Sequence, residues 1–187
     1  MHRPRRMMRR ALTGVLVAAA LIAALPLYTH AMRGAHGTPP AMAPAHLQAD
    51  QVIVDKPARR LDLLREGAVI RSYTVSLGFQ PQGHKTREGD GRTPEGDYVL
   101  DWRNPRSVAH LSLHISYPDA TDRAAAAARG EAPGGAIMIH GLLNGWGWLA
   151  PLHHLRDWTD GCIAVTNAEM REIWSLVPDG TPIRIDG

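Results

Sequence analysis

The sequence predicts a mainly β, sandwich-like domain with one or two short helices over residues 50–187. Three observations carry that expectation. Short runs of alternating or β-branched residues recur, punctuated by many of the 18 Gly and 14 Pro. Helical periodicity is well marked in one late segment only. Roughly 140 residues suffice to bury a normal core without disulfides. Architectures of this kind stack or curl a sheet around one core.

The elements follow in order. Residues 51–55 (Gln-Val-Ile-Val-Asp) alternate as a strand should. Runs at 60–64 and 68–77 flank Arg65-Glu66-Gly67, which reads as a hairpin turn. Further strands are expected at 96–102, 110–116, 136–140, 162–165 and 182–185. Thr166 with Glu169 three positions later fits a capping box, and Met170, Ile173, Trp174 and Val177 then share one face before Pro178. The Ala-rich run 124–128 after Asp122 suggests a second short helix, there for packing or to cover a groove.

Ahead of the domain lie two segments of different character. Residues 1–31 start with Arg3, Arg5, Arg6, Arg9 and Arg10 and continue into an uncharged apolar stretch from Ala11 to Leu25. Pro26 is expected to break it, and Thr29-His30-Ala31 offers a small residue for cleavage. That order describes a secretory signal peptide or a retained signal anchor. Either reading places the domain in the periplasm or an equivalent extracytoplasmic space, because the arginines stay inside. Residues 32–49, rich in Ala, Pro, Gly and His, read as a linker without periodicity.

Charge supports this partition. The formal net charge is +3, yet removing the five N-terminal arginines leaves 16 basic against 18 acidic residues. The exported part therefore has no electrostatic footprint for nucleic acid. Membrane contact is expected only through the N-terminal segment, if it is uncleaved. The domain itself is expected to be a monomer. One cysteine in an exported chain cannot form an internal disulfide, so Cys162 pairs between molecules or is reactive.

Chemistry concentrates in two motifs. Ile137-Met138-Ile139-His140-Gly141 ends a strand pattern in a Gly-rich loop, and Cys162 follows His140 by 22 positions within Thr159-Asp160-Gly161-Cys162. A thiol is mostly protonated at neutral pH and needs a base; an imidazole at a strand end is firmly aimed. Gly161 tolerates unusual dihedrals beside the nucleophile. The N–H groups of Gly161 and Cys162 would suit an oxyanion hole. The Gly141 carbonyl could hold the other imidazole nitrogen. Cys162 between Gly161 and Ile163 is equally compatible with a small buried hydrophobe, and His140 alone with a structural role.

Those motifs, together with Gly91-Arg92-Thr93-Pro94-Glu95-Gly96-Asp97-Tyr98 and Ser112-Leu113-His114-Ile115-Ser116-Tyr117-Pro118, resemble the L,D-transpeptidase (YkuD-type) catalytic domain of bacterial cell-wall enzymes. The resemblance spans about residues 51–186. It implies acyl transfer on peptidoglycan stem peptides, with Cys162 attacking a carbonyl at an L-centre, a thioester intermediate, His140 as base and then acid, and no metal or organic cofactor. The same site in a hydrolase would make an L,D-carboxypeptidase or amidase. A catalytically silent wall-binding module is the alternative from another class, and a zinc hydrolase a third. Two positions depart from the common pattern. Asp160 stands where many members have His, as in a variant subgroup, and Ala164 where many have Arg. An acid beside the thiol raises its pKa, and the missing Arg removes a contact for a substrate carboxylate.

Other residues compete for a binding role. Alternation puts Ser112, His114 and Ser116 on one face, so His114 lines the groove or sits in the core as a hydrogen-bonded histidine. Trp146 and Trp148, on a Gly-rich loop just after His140, suit a wall or lid over substrate, or one of them plugs the end of the core. Arg92, in a mixed-charge loop, is a candidate for stem-peptide carboxylates, although such loops are usually only solvated. Adjacent His153 and His154 match no metal-ligand spacing, and no metal site is expected.

Overall fold

The computed structural model describes residues 3–187, with side chains described from Thr13 onward apart from position 18. Eight strands form one sheet: β1 (Gln51–Asp55), β2 (Arg60–Arg65), β3 (Ala68–Thr74), β4 (Gly96–Asn104), β5 (Ser112–Ile115), β6 (Met138–His140), β7 (Ile163–Ala164) and β8 (Thr181–Asp186). Their order is β3-β2-β1-β8-β4-β5-β6-β7. Neighbours are antiparallel except at β1–β8 and β6–β7, which are parallel.

The sheet is curled until its two edges meet. Past the end of β3 the chain bridges the opposite edge, Ser76 pairing with Ala164 and Gly78 with Thr159. Ser76 N donates to Ala164 O at 2.9 Å, and Ala164 N donates to Ser76 O at 2.8 Å. Both edges thereby gain partners for exposed backbone groups. The mainly β expectation holds, with the layers made by one curled sheet.

Local sequence explains the elements. Alternating burial along β1 and β8 puts Val52, Val54, Ile183 and Ile185 into one core with Leu61, Leu63, Leu113, Ile115, Ile139 and Ile163. The β2–β3 turn is Glu66-Gly67, both residues at positive φ (52° and 78°), as a two-residue hairpin loop of matching twist requires.

Helix α1 (Arg3–Met32) precedes the sheet; the basic run 3–10 lies within it, but its side chains fall outside the described set. Helix α2 (Ala120–Ala128) starts at an Asp119–Asp122 capping box, earlier than the alanine run suggested. Helix α3 (Asn167–Leu176) carries the expected Thr166–Glu169 box and buries Met170, Ile173 and Trp174. Such a cap is worth about 1 kcal/mol. At the far end of α3, Arg103 donates to Trp174 O and Val177 O and lies over the Trp174 ring at 4.8 Å.

Two segments differ from simple expectation. Helix α1 continues through Pro26 to Met32. Its last turns are held by the domain: Tyr28 Oη donates to Gly145 O (2.8 Å), and Trp146 Nε1 donates to Thr29 Oγ1 (3.2 Å). These contacts offset the bond that a proline removes. Residues 33–49 run along α3, where Ala43 N and Ala49 N donate to Ser175 O and Leu176 O and Ser175 Oγ donates to Ala41 O.

Candidate active site

Strands β6 and β7 set the geometry. Their register pairs Ile139 with Ile163 and His140 with Ala164. Alternation then points the side chains at 138, 140, 162 and 164 to the same face, so Cys162 and His140 are diagonal neighbours across one parallel pair. On the other side of β6, Ser112 is the register partner of His140.

The imidazole is fixed. His140 Nδ1 lies 2.6 Å from Gly141 O. A carbonyl only accepts, so Nδ1 carries the proton and Nε2 is left with its lone pair. The ring is 8 % exposed and meets Trp158 edge-on at 5.9 Å. Burial pushes its pKa below the ordinary histidine value, against the upward pull of the Gly141 carbonyl. At neutral pH it is an unprotonated base.

The thiol sits at the end of a tight turn. Thr159, buried, donates from Oγ1 to Cys162 O (2.7 Å) and accepts from Gly161 N (3.2 Å). The same residue exchanges backbone bonds with Leu77 and Phe79 on the opposite sheet edge. Gly161 has φ +128°, and a Cβ there would fall 2.5 Å from Arg92 O. Only glycine meets both conditions.

Cys162 Sγ is 3.6 Å from Ala136 O. No hydrogen bond to the His140 ring is present among the described residues, and such contacts often tighten only with substrate bound. Burial raises the thiol pKa and the Asp160 charge adds to the rise; the Met138 N–H and the Lys85 charge oppose them. That lysine is itself buried in an ion pair with Asp90 at 2.9 Å. Gly161 N–H is given to Thr159, whereas the Cys162 N–H makes none of the described hydrogen bonds.

A cleft of about 570 Å³ opens over this pair. Ser112, Met138, His140, Trp158, Asp160 and Cys162 line it, with Asn104 and Arg106 on the 104–109 side. Its charged lining residues are Arg106 and Asp160, both exposed. Ser112 Oγ and Trp158 Nε1 are buried without a hydrogen-bond partner. Unpaired buried polar atoms are costly, and both belong to residues that line the cleft.

The other expected site residues lie elsewhere. Asp160 alone of the five binding candidates lines the cleft. His114 stacks on Trp102 and bonds Asp101 through Nδ1 at 2.6 Å. Trp146 lines a separate apolar cavity and Trp148 is exposed beside it. Arg92 supports Gly161 with its carbonyl, while its side chain lines a different pocket with Arg87 and Arg129. Sequence reasoning passed over Thr159, Lys85, Arg106 and Trp158 as site residues. The first stood three positions before Cys162 in the same motif, with a hydroxyl able to bond the local backbone, a signal that was available; the others needed the fold. No group of three His, Cys, Asp or Glu converges among the described residues.

Fold and cleft define a class: a curled mixed sheet that presents a cysteine and a histidine on one face. The sequence pattern of the L,D-transpeptidase catalytic domain (YkuD) matches residues 49–185, and the chain belongs to that family. No curated protein matches the chain. Among solved structures, the helical cell shape determining protein Pgp2 from Campylobacter jejuni aligns with TM-score 0.54 at 24% identity, over 73% of this chain and 46% of that one. Bd1075 of Bdellovibrio bacteriovorus aligns with TM-score 0.51 at 22% identity, over 80% and 52%. The chain thus spans about half the length of these structures, and the likeness is one of fold.

Proposed function

We propose that the protein is a cysteine L,D-transpeptidase acting on peptidoglycan stem peptides outside the cytoplasm. The observation that carries this reading is the His140 tautomer, fixed by Gly141 O, on the same face and in the same cleft as Cys162. Two neutral partners suit a step in which proton transfer accompanies attack.

Nε2 of His140 takes the thiol proton as Sγ bonds to the carbonyl carbon at an L-centre of the donor peptide. The resulting oxyanion is stabilised by the Cys162 N–H. The imidazolium returns its proton to the amine of the departing D-amino acid as the C–N bond breaks, leaving a thioester on Cys162. An acceptor amine then attacks the thioester, giving its proton to His140, and Sγ leaves to regain it. Water in place of the amine yields a carboxypeptidase. Pgp2 is described as determining helical cell shape, and wall remodelling is the level at which a shared role is proposed.

Incubation of the protein with purified tetrapeptide muropeptides, followed by mass analysis, tests the reading. A cross-linked dimer or an exchanged terminal D-amino acid is expected, and Cys162→Ala should abolish both. His140→Ala should slow the reaction by about 10²–10⁴-fold. Shortened stem peptides without transfer products would replace transpeptidation with hydrolysis. Unchanged turnover by Cys162→Ala would remove the nucleophile, and no reaction at all would leave a wall-binding module.

A further inference from the structure

We propose that the face formed by residues 143–156 docks on the lipid surface of the membrane that α1 enters, so that the domain is held against the bilayer instead of hanging from it. Residues 13–32 of α1 form a 20-residue stretch of mean hydropathy 1.9, long and apolar enough to cross a membrane. The end of that stretch is seated on the loop. Besides the bonds of Tyr28 and Thr29, the Tyr28 and Trp146 rings meet edge-on at 5.4 Å, and Asn144 Nδ2 donates to Arg33 O at 2.8 Å. A Cβ on Gly145 would lie 2.7 Å from Met32 Cγ, so the Met32 side chain packs directly on the Gly145 backbone.

Around this junction an apolar surface is exposed. Leu143, Trp148, Leu152 and Leu155 are 39, 67, 55 and 72% exposed. Leu143, Leu152 and Leu155 border, with Trp146 and Leu149, an apolar cavity of about 400 Å³. Residues 143–156 contain no acidic side chain, while His154 and Arg156, both exposed, are available to anionic headgroups. Tryptophan and tyrosine beside an apolar helix end are the composition of a membrane interface, where an amphipathic ring is comfortable. Continuity with α1 selects lipid as the occupant, since the helix that would enter the bilayer delivers this face to its surface. Leu143 and Trp158 line both the apolar cavity and the catalytic cleft, so the cleft would open next to the membrane.

The test uses the full chain reconstituted in vesicles of phosphatidylcholine and phosphatidylglycerol, with lipids brominated at shallow or deep acyl positions. Tryptophan emission should be quenched by shallow bromines more than by deep ones. Trp148→Phe, an exposed and sterically mild change, should remove most of that quenching while circular dichroism stays unchanged. Leu152→Asp with Leu155→Asp should reduce it as well, through a weaker seat on the lipid. Equal bromine quenching of wild type and Trp148→Phe, with Trp148 open to an aqueous quencher, would overturn the proposal. So would protection of Trp148 in lipid-free micelles that rises with protein concentration, which would assign the face to a second copy of the chain. Release of a chain beginning after Ala31 from bacterial membranes would overturn it too.

Discussion

At Cys162 and His140 the electrostatics run against a preformed ion pair. Burial raises the thiol and lowers the imidazole, so each is held in its neutral form at neutral pH. Asp160 adds to the thiol's rise through its negative charge. Asp160→Asn should therefore lower the thiol pKa, read as thiolate absorbance against pH, and speed alkylation by iodoacetamide at neutral pH. The shift should shrink in high salt because Asp160 is exposed. An unchanged titration would mean that the carboxylate is fully screened from the sulfur. Arg106 bears on the other departure from the family pattern. Ala164 is completely buried and offers a substrate nothing, whereas Arg106 brings a cation to the cleft from another loop. Arg106→Ala should raise KM for a stem peptide with a free carboxylate much more than it lowers kcat, with partial recovery in Arg106→Lys. Equal kinetics with amidated and free substrates in the wild type would exclude this role.

Among elements, the 159–162 turn matters most, because it joins Cys162 to the closure of the sheet. Thr159 Oγ1 holds both Gly161 N and Cys162 O, while its backbone pairs across the seam. Thr159→Val keeps the shape and removes both side-chain bonds. Buried groups left unpaired cost about 1–3 kcal/mol, so the urea midpoint should fall. If the turn also aims the sulfur, kcat should fall with little change in KM, and Thr159→Ser should restore it; a stability loss with normal kcat would limit Thr159 to a structural part. Much at this scale was legible in the sequence. Alternation marked β1, a short run at 182–185 marked β8, the Thr166–Glu169 box marked α3, and His140 at a strand end was visible from the Ile137–Gly141 run. The seam between 76–78 and 159–164 was not, because residues some 80 positions apart carry no local signal of pairing. Loop residues such as Arg106 and Lys85 reach the site only through that folding, which is why the pairing of Cys162 with His140 was readable and its surroundings were not. Trp146 and Trp148 looked like a lid for the opposite reason: nearness to His140 in sequence does not fix the direction of a loop.

For the whole molecule, buried histidines should tie stability to pH. His140 and His153 are each 8 % exposed, and burial lowers the pKa of both from the ordinary value of 6.5. In the unfolded chain they regain that ordinary value, so as pH falls below it the unfolded state binds protons that the folded state refuses. Stability then rises with pH wherever the unfolded state holds more protons, which here means it is full above the ordinary histidine value and is lost below it. Each ring that titrates only in the unfolded chain contributes a slope of at most about 1.4 kcal/mol per pH unit. Asp90 acts in a more acidic window. Burial pushes its carboxyl up, but the Thr86 N–H, the Lys85 ammonium and the N–H groups of Arg92 and Arg87 outweigh it and hold the group at about 2. Its stabilisation disappears as pH falls from the usual carboxylate range through that value. The urea midpoint should accordingly drop between about pH 7 and about pH 5, before any carboxylate effect begins. Replacing His153 with Asn should flatten the drop by roughly one ring's share, provided that the variant folds, and His140→Asn gives a second, independent measure. A midpoint constant across that window would show that both rings accept protons in the folded state. Their folded-state pKa values would then match the ordinary one, and burial would not be what holds His140 unprotonated.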